Sequence, residues 1–251
     1  MTDAVTYVGH ATLLAELGGA RVLTDPLIRG GLGHIRRRAA PPDPDVLTRL
    51  DAILVSHAHH DHLDVVSLRR VTPGCPLVIG PRGTAGYLRR GGAAEVVEVD
   101  VGDRVAVGGL TVEAVPALHD GRRYPVGAPL PALGFLLDGP TRLYFAGDTD
   151  LFDGMSDLAG RVDLAAVPVG GWGPRTPPGH LDPERAAEAV ALIAPRAAIP
   201  IHWGTYARID LKPDLLAPAR EFAAAAARVA PDVTVHVLQP GERLEVAQRS
   251  P

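Results

Sequence analysis

The chain has a single cysteine, Cys75, and a single lysine, Lys212, among its 251 residues. One thiol closes no internal disulfide, and Cys75 stands outside the histidine-rich run described below. A reducing, cytoplasmic setting is therefore expected. The basic residues are otherwise all arginine, which with 28 Gly and 24 Pro reads as the codon bias of a GC-rich genome and not as function. Aromatics make up only 4%, so Ala, Val and Leu must fill the core. The net charge of −4 excludes a globally basic surface for nucleic acid. No apolar run is long enough to cross a bilayer. The N-terminus lacks a basic stretch followed by an apolar one, so no secretory signal is expected. These absences leave a small molecule as the expected partner, with no nucleic acid and no stable membrane insertion. A homo-oligomer is compatible with the sequence but not encoded in it legibly.

What is present fits an ordinary globule, 46% hydrophobic and 22% charged. The length suits one domain, residues 1–251, or two half-domains sharing a core. Short strands are expected at 4–8, 12–17 and 21–24, with Gly18-Gly19 as a hairpin turn. Residues 26–44 read as one long loop. A buried strand at 52–56 runs into the histidines, and a helix follows at 63–71. A strand at 76–79 and a helix at 83–90 come next. Further strands are expected at 96–99, 104–107, 110–115, 133–137, 142–146 and 164–167. Asp182-Pro183 marks the start of a helix, with Asp as cap and Pro at the first position. Beyond it lie strands at 198–201, 233–238 and 243–246 and a helix at 213–229. Two packed sheets with helices outside fit this order, although patterning alone does not separate that from other α/β layouts.

The run His57-Ala58-His59-His60-Asp61-His62 carries the chemistry. Imidazole nitrogens and a carboxylate suit Zn²⁺ and related divalent ions. His57 and His59 are two apart and point the same way from an extended strand end. Asp61 and His62 follow where the chain turns, and Asp64 is placed to cap the next helix. A histidine-rich polar loop is the bland alternative. Four metal-competent residues in six positions after an apolar strand make it the poorer one. His60 points away in this geometry and is read as packing or solvent-facing. His119, Asp148 and His202 each follow an apolar strand, where convergent ligands are held rigidly.

These motifs in this order resemble the metallo-β-lactamase-fold superfamily, whose signature is His-x-His-x-Asp-His. Asp25 after a strand, His119, Asp148 in Gly147-Asp148-Thr149 and His202 in Ile201-His202-Trp203-Gly204 match its later motifs. The resemblance implies a four-layer αββα sandwich. It implies two divalent ions, Zn²⁺ first with Mn²⁺ or Fe²⁺ as alternatives. One ion takes His57, His59 and His119; the other takes Asp61, His62 and His202; Asp148 bridges them. A hydroxide between the ions is the implied nucleophile. Asp25 is expected to orient a ligand histidine.

Gly9-His10-Ala11-Thr12, Asp25-Pro26, Pro41-Pro42 and His180-Leu181-Asp182-Pro183-Glu184 narrow the resemblance. They are similar to a subgroup holding ascorbate-6-phosphate lactonase-like and N-acyl-phosphatidylethanolamine phospholipase D-like proteins. A hydrolase of a lactone, ester or phosphodiester, in a phosphorylated substrate, is the implied function. Asp61 and His180 are the implied catalytic residues. His180 follows the Gly170-Gly171-Trp172-Gly173-Pro174 segment and is read as a substrate contact over a loop histidine bonded to backbone. His10 is weighed evenly between site and packing; His34 and His236 are read as packing or loop residues. Arg36-Arg37-Arg38 is a solvated face or, if its loop folds over the metals, a phosphate site. The bridging aspartate argues against a true β-lactamase, and His59 against flavodiiron reductases, which carry glutamate there. The competing function is a non-catalytic, metal-stabilised small-ligand sensor, which has no need of an open, bridged pair.

Overall fold

The computed structural model describes residues 2–75, 77–124, 128–173 and 176–248. The chain opens with β1 (Ala4–Gly9), β2 (Thr12–Leu17) and β3 (Ala20–Thr24) as an antiparallel meander. Gly18 and Gly19 take φ of +55° and +83°, the paired positive values that a two-residue hairpin turn needs. Next come β4 (Gly31–Leu32) and β5 (Ile35–Arg37), then a 3-10 turn at Pro44–Leu47. The segment expected as one loop thus holds a hairpin. Its two strands are too short and Gly/Arg-rich to show alternation.

β6 (Ala52–Leu54), α1 (Val65–Val71), β7 (Leu77–Pro81), α2 (Ala85–Arg90) and β8 (Glu95–Val99) finish the first half. The second half is β9 (Arg104–Val107), β10 (Leu110–Pro116), β11 (Leu133–Asp138), β12 (Leu143–Phe145), β13 (Leu164–Pro168), α3 (Pro183–Ile193) and β14 (Ala197–Ile201). β15 (Tyr206–Arg208), α4 (Ala217–Val229), β16 (Thr234–Val235) and β17 (Arg243–Glu245) end it. Pro76, expected to begin a strand, and Pro174 of the glycine-rich segment lie outside the described residues. The expected strand at 233–238 shrinks to β16, which pairs with β14 over two residues only. The expected helix at 213–229 starts later, because Asp214 turns back to accept from the Leu216 amide.

Two seven-stranded sheets result, ordered β17-β1-β2-β3-β6-β7-β8 and β16-β14-β13-β12-β11-β10-β9. Each is antiparallel at one side and parallel at the other, the parallel strands being joined through helices. Leu13, Leu54, Phe135 and Phe145 belong to one buried cluster that draws on both sheets. Leu68, Val71 and Leu88 of α1 and α2 cover the far side of the first sheet against Ile53 and Val78. α3 packs on β13 and pairs with α4. The molecule is a four-layer αββα sandwich, the architecture expected from the sequence. β15, β5 and β4 make a separate three-stranded sheet around buried Leu27, Ile35 and Tyr206.

Two caps are built as the sequence implies. Asp64 accepts from the Ser67 amide at the start of α1, and Asp182 from the Arg185 amide at the start of α3. Each satisfies an amide that the first helical turn leaves free.

Candidate metal centre

Strand order decides where the site falls. β3, β6, β12 and β14 end within three residues of Asp25, His57, Asp148 and His202, and β10 ends just before His119. Their C-terminal ends meet at one edge of the sandwich, and eight side chains converge there. His57, His59, His119 and Asp148 have ligand atoms within 4.8 Å of one another, and so do His10, Asp61, His62 and His202. Asp148 lies between the groups. Its Oδ2 is 3.0 Å from His62 Nε2, 3.4 Å from His180 Nε2 and 4.0 Å from His57 Nε2, while Oδ1 is 3.5 Å from His202 Nε2.

Hydrogen bonds fix which ring nitrogens are available. His202 Nδ1 donates to the Gly170 carbonyl at 2.8 Å, and His119 Nδ1 to that of Gly179 at 2.8 Å. A carbonyl only accepts, so both rings carry their proton on Nδ1 and leave the Nε2 lone pair free. Asp25 organises two more. It accepts from the Ser56 amide at 2.7 Å, from Ser56 Oγ at 2.5 Å and from His62 Nδ1 at 2.7 Å. Since Ser56 Oγ donates to Asp25, it accepts from His57 Nδ1 at 2.9 Å. His57 thereby presents Nε2 as well. His59 turns its Nδ1 toward His119 Nε2, at 3.2 Å.

The result is a knot of buried atoms that no protein group satisfies. His57 Nε2, His62 Nε2, His202 Nε2 and Asp148 Oδ1 are all buried without a hydrogen-bond partner. Such groups are costly to bury unless something binds them. Imidazole and carboxylate donors aimed at common points fit divalent cations of the zinc, manganese or iron type.

Burial holds His57 well below the usual histidine range, with the His62 charge adding to it. Burial likewise takes His59 to about 4 and lowers His119. Neutral imidazoles are what metal binding requires. For Asp61 and Asp148 burial alone would raise the pKa. The surrounding histidines, His62 foremost at Asp61 and His202 at Asp148, outweigh it and hold both well below the carboxylate range. Burial lowers His62, but Asp148, Asp61 and Asp25 together raise it well above its usual value. A cation bound there would take the place of a proton.

Two histidines lie outside the expected ligand set but touch it. His10 is buried, with Nε2 2.9 Å from Asp61 Oδ2 and its ring centroid 4.0 Å from that of His202. It is packed beneath the site and also bonded into it. Its amide donates to Thr205 Oγ1, and its carbonyl accepts from the His202 amide. His180 sits on the rim, between Asp148 and His119. His60 faces outward to Arg123 and Tyr124, apart from the cluster. His236 lies by the edge strand β16, outside the cluster.

A cleft of about 400 Å³ opens onto Asp61, Asp148 and His202, walled by His34, Trp172 and Arg208. His34 is therefore a cleft residue, edge-on to Trp172 at 5.9 Å. Arg36, Arg37 and Arg38 do not line the cleft. They donate to the carbonyls of Gly33, Ala40, Val8 and Arg208 and brace the small sheet. Arg208 comes from β15, a strand missed because its partner β5 lies some 170 residues earlier.

The comparisons agree with this geometry. A family model described as beta-lactamase superfamily domain matches residues 20–203. The chain is 35% identical to a UPF0173 metal-dependent hydrolase of Methanopyrus kandleri, covering 96% of this chain and 99% of that protein. It is 32% identical to an N-acyl-phosphatidylethanolamine-hydrolyzing phospholipase D of Caenorhabditis elegans, over 80% of this chain and 64% of that one. Among solved structures, the metallo hydrolase Igni18 of Ignicoccus hospitalis superposes with a TM-score of 0.74. That match has 24% identity and covers 99% of this chain and 100% of that one.

Proposed function

From the chain's membership of the beta-lactamase superfamily, within which it is a metal-dependent hydrolase, we propose that it uses two divalent ions to cleave a lactone, ester or phosphodiester bond in a small substrate. The observation that carries this is Asp148, whose carboxylate lies within 4.0 Å of His57, His62, His180 and His202. One ion would be held by His57, His59 and His119 and the other by Asp61, His62 and His202, with Asp148 placed to serve both. Zinc suits the donor set best, and manganese or iron also fit it. Bound there, the ions supply a water of lowered pKa and polarise the substrate's carbonyl or phosphoryl oxygen.

The chain's own groups do the rest. The three Nδ1 hydrogen bonds of His57, His119 and His202 fix the rings, so no reorganisation is required during turnover. Asp61, bonded to His10 at Oδ2, faces the cleft and accepts a hydrogen bond that orients the attacking water, whose proton leaves to solvent. His180 stands on the rim with Nε2 toward Asp148 and gives a proton to the leaving oxygen. Trp172 and His34 hold the part of the substrate that does not react.

A panel of esters, lactones and phosphodiesters offered to metal-loaded protein tests this. Turnover in one class, abolished by chelation and by Asp148→Asn, is the expected result. Fully loaded protein with no turnover in any class, but tight binding of a small ligand, would contradict it and favour a sensor.

A further inference from the structure

The loop that carries His59, Asp61 and His62 spans only four residues, from 59 to 62. Its internal support is one tight turn, in which the amides of His62 and Leu63 donate to the His59 carbonyl at 3.1 and 2.8 Å. Ala58 and Leu63 bracket the loop, and both are fully buried. Their carbonyls meet the same nitrogen. Arg123 Nη1 donates to Ala58 O at 2.8 Å and to Leu63 O at 2.9 Å.

The same guanidinium makes two more contacts. Nη2 donates to His60 Nδ1 at 3.1 Å, and the group lies over the Tyr87 ring, 4.8 Å from its centroid. Tyr87 belongs to α2, and Arg123 follows His119 by four residues. One side chain thus ties the first ligand loop, the segment carrying His119, and a helix of the first half. A planar fork with fixed donor directions can do this, which a single ammonium cannot. His60, the one histidine of the run aimed away from the cluster, completes the tie.

We propose that Arg123, with His60 and Tyr87, is a latch that sets the spacing between the 59–62 loop and His119. It is a positioning residue for the metal centre, and its assignment rests on that centre being real. Outer groups that hold ligands in place govern metal affinity and the geometry at the ion.

Arg123→Met keeps the length and apolar stem but removes the donors, Arg123→Lys restores part of them, and His60→Ala removes one contact. Each is loaded with Co²⁺, its affinity measured by competition with a chromophoric chelator and its visible ligand-field bands recorded. The unfolding midpoint of the metal-free protein is measured in parallel. Arg123→Met should bind Co²⁺ about 10- to 100-fold more weakly and with shifted bands. Arg123→Lys should recover part of the loss, and His60→Ala should show a smaller shift of the same kind. Should Arg123→Met not fold, the other two variants give the same readouts. Wild-type affinity and bands in the folded variants, even with a lowered unfolding midpoint, would overturn the latch alone. Failure of the wild-type chain to bind Co²⁺ would overturn the metal centre, and the latch with it.

Discussion

Of the five non-glycine residues with positive φ among those described, three are His10, Asp25 and His202. Residues with a Cβ adopt that region at a cost, and such strain persists where the surroundings over-determine it. Here the surroundings are hydrogen bonds, and Asp25 makes the most consequential ones. Asp25→Ala strips the Ser56 amide, Ser56 Oγ and His62 Nδ1 of their shared acceptor. Each buried group left unpaired costs about 1–3 kcal/mol, and metal affinity should fall about 10- to 100-fold; denaturation and chelator competition check the two effects. His10 makes a different prediction. Burial, with the His202 charge next, lowers its pKa to about 4 from an ordinary 6.5. The unfolded chain therefore takes up a proton that the folded one refuses. Metal-free protein should lose up to roughly 3 kcal/mol of stability as pH falls from about 6.5 to 4. His10→Gln should flatten that dependence in denaturant midpoints taken at pH 7.5 and 5; an unchanged slope would contradict it. At this scale the residues of the 57–62 run were legible because they are contiguous and follow an apolar strand. His10 was legible only as an even choice between site and packing, and the roles of Trp172 and Arg123 were not legible, since each finds its partners dozens of residues away in sequence.

Elements with their own signals were equally legible. The caps Asp64 and Asp182 and the Gly18-Gly19 turn follow from local chemistry, and the strands buried on both faces show as apolar runs. The short strands β4, β5 and β15 were not visible, because their pairing joins residues 31–37 to 206–208 and no local pattern announces it. Yet this small sheet matters to the cleft: His34 lies in the turn between β4 and β5, Arg208 on β15, and Trp172 packs against its cluster. Ile35 is fully buried at its centre. Ile35→Ala should cost about 2–5 kcal/mol, spent largely on the wall of the cleft. KM should rise while metal content stays at the wild-type level. An unchanged KM would show that the wall does not touch substrate.

At the scale of the molecule, the fold divides the proposed ligands between its halves. His57, His59, Asp61 and His62 follow strands of the first sheet, and His119, Asp148 and His202 follow strands of the second. Ions held at this edge by the proposed ligands would clasp the two sheets, so binding should stabilise the whole chain. A ligand at a thousand times its Kd stabilises by about 4 kcal/mol, and chelation should lower the unfolding midpoint in proportion. No helix among the described residues is long and apolar enough to cross a membrane. The sandwich itself was foreshadowed by the strand–helix order but not determined by it; the order of strands within each sheet depends on contacts that no local pattern contains. What the halves were expected to share, a bridging carboxylate, is the most exposed point of the account. Elemental analysis of the purified wild-type chain and of Asp148→Asn, each assayed for turnover, tests it most directly. About two equivalents of metal in the wild type, fewer in the variant, and turnover lost with the metal are predicted. Full turnover by protein stripped of metal, or by Asp148→Asn, would contradict it.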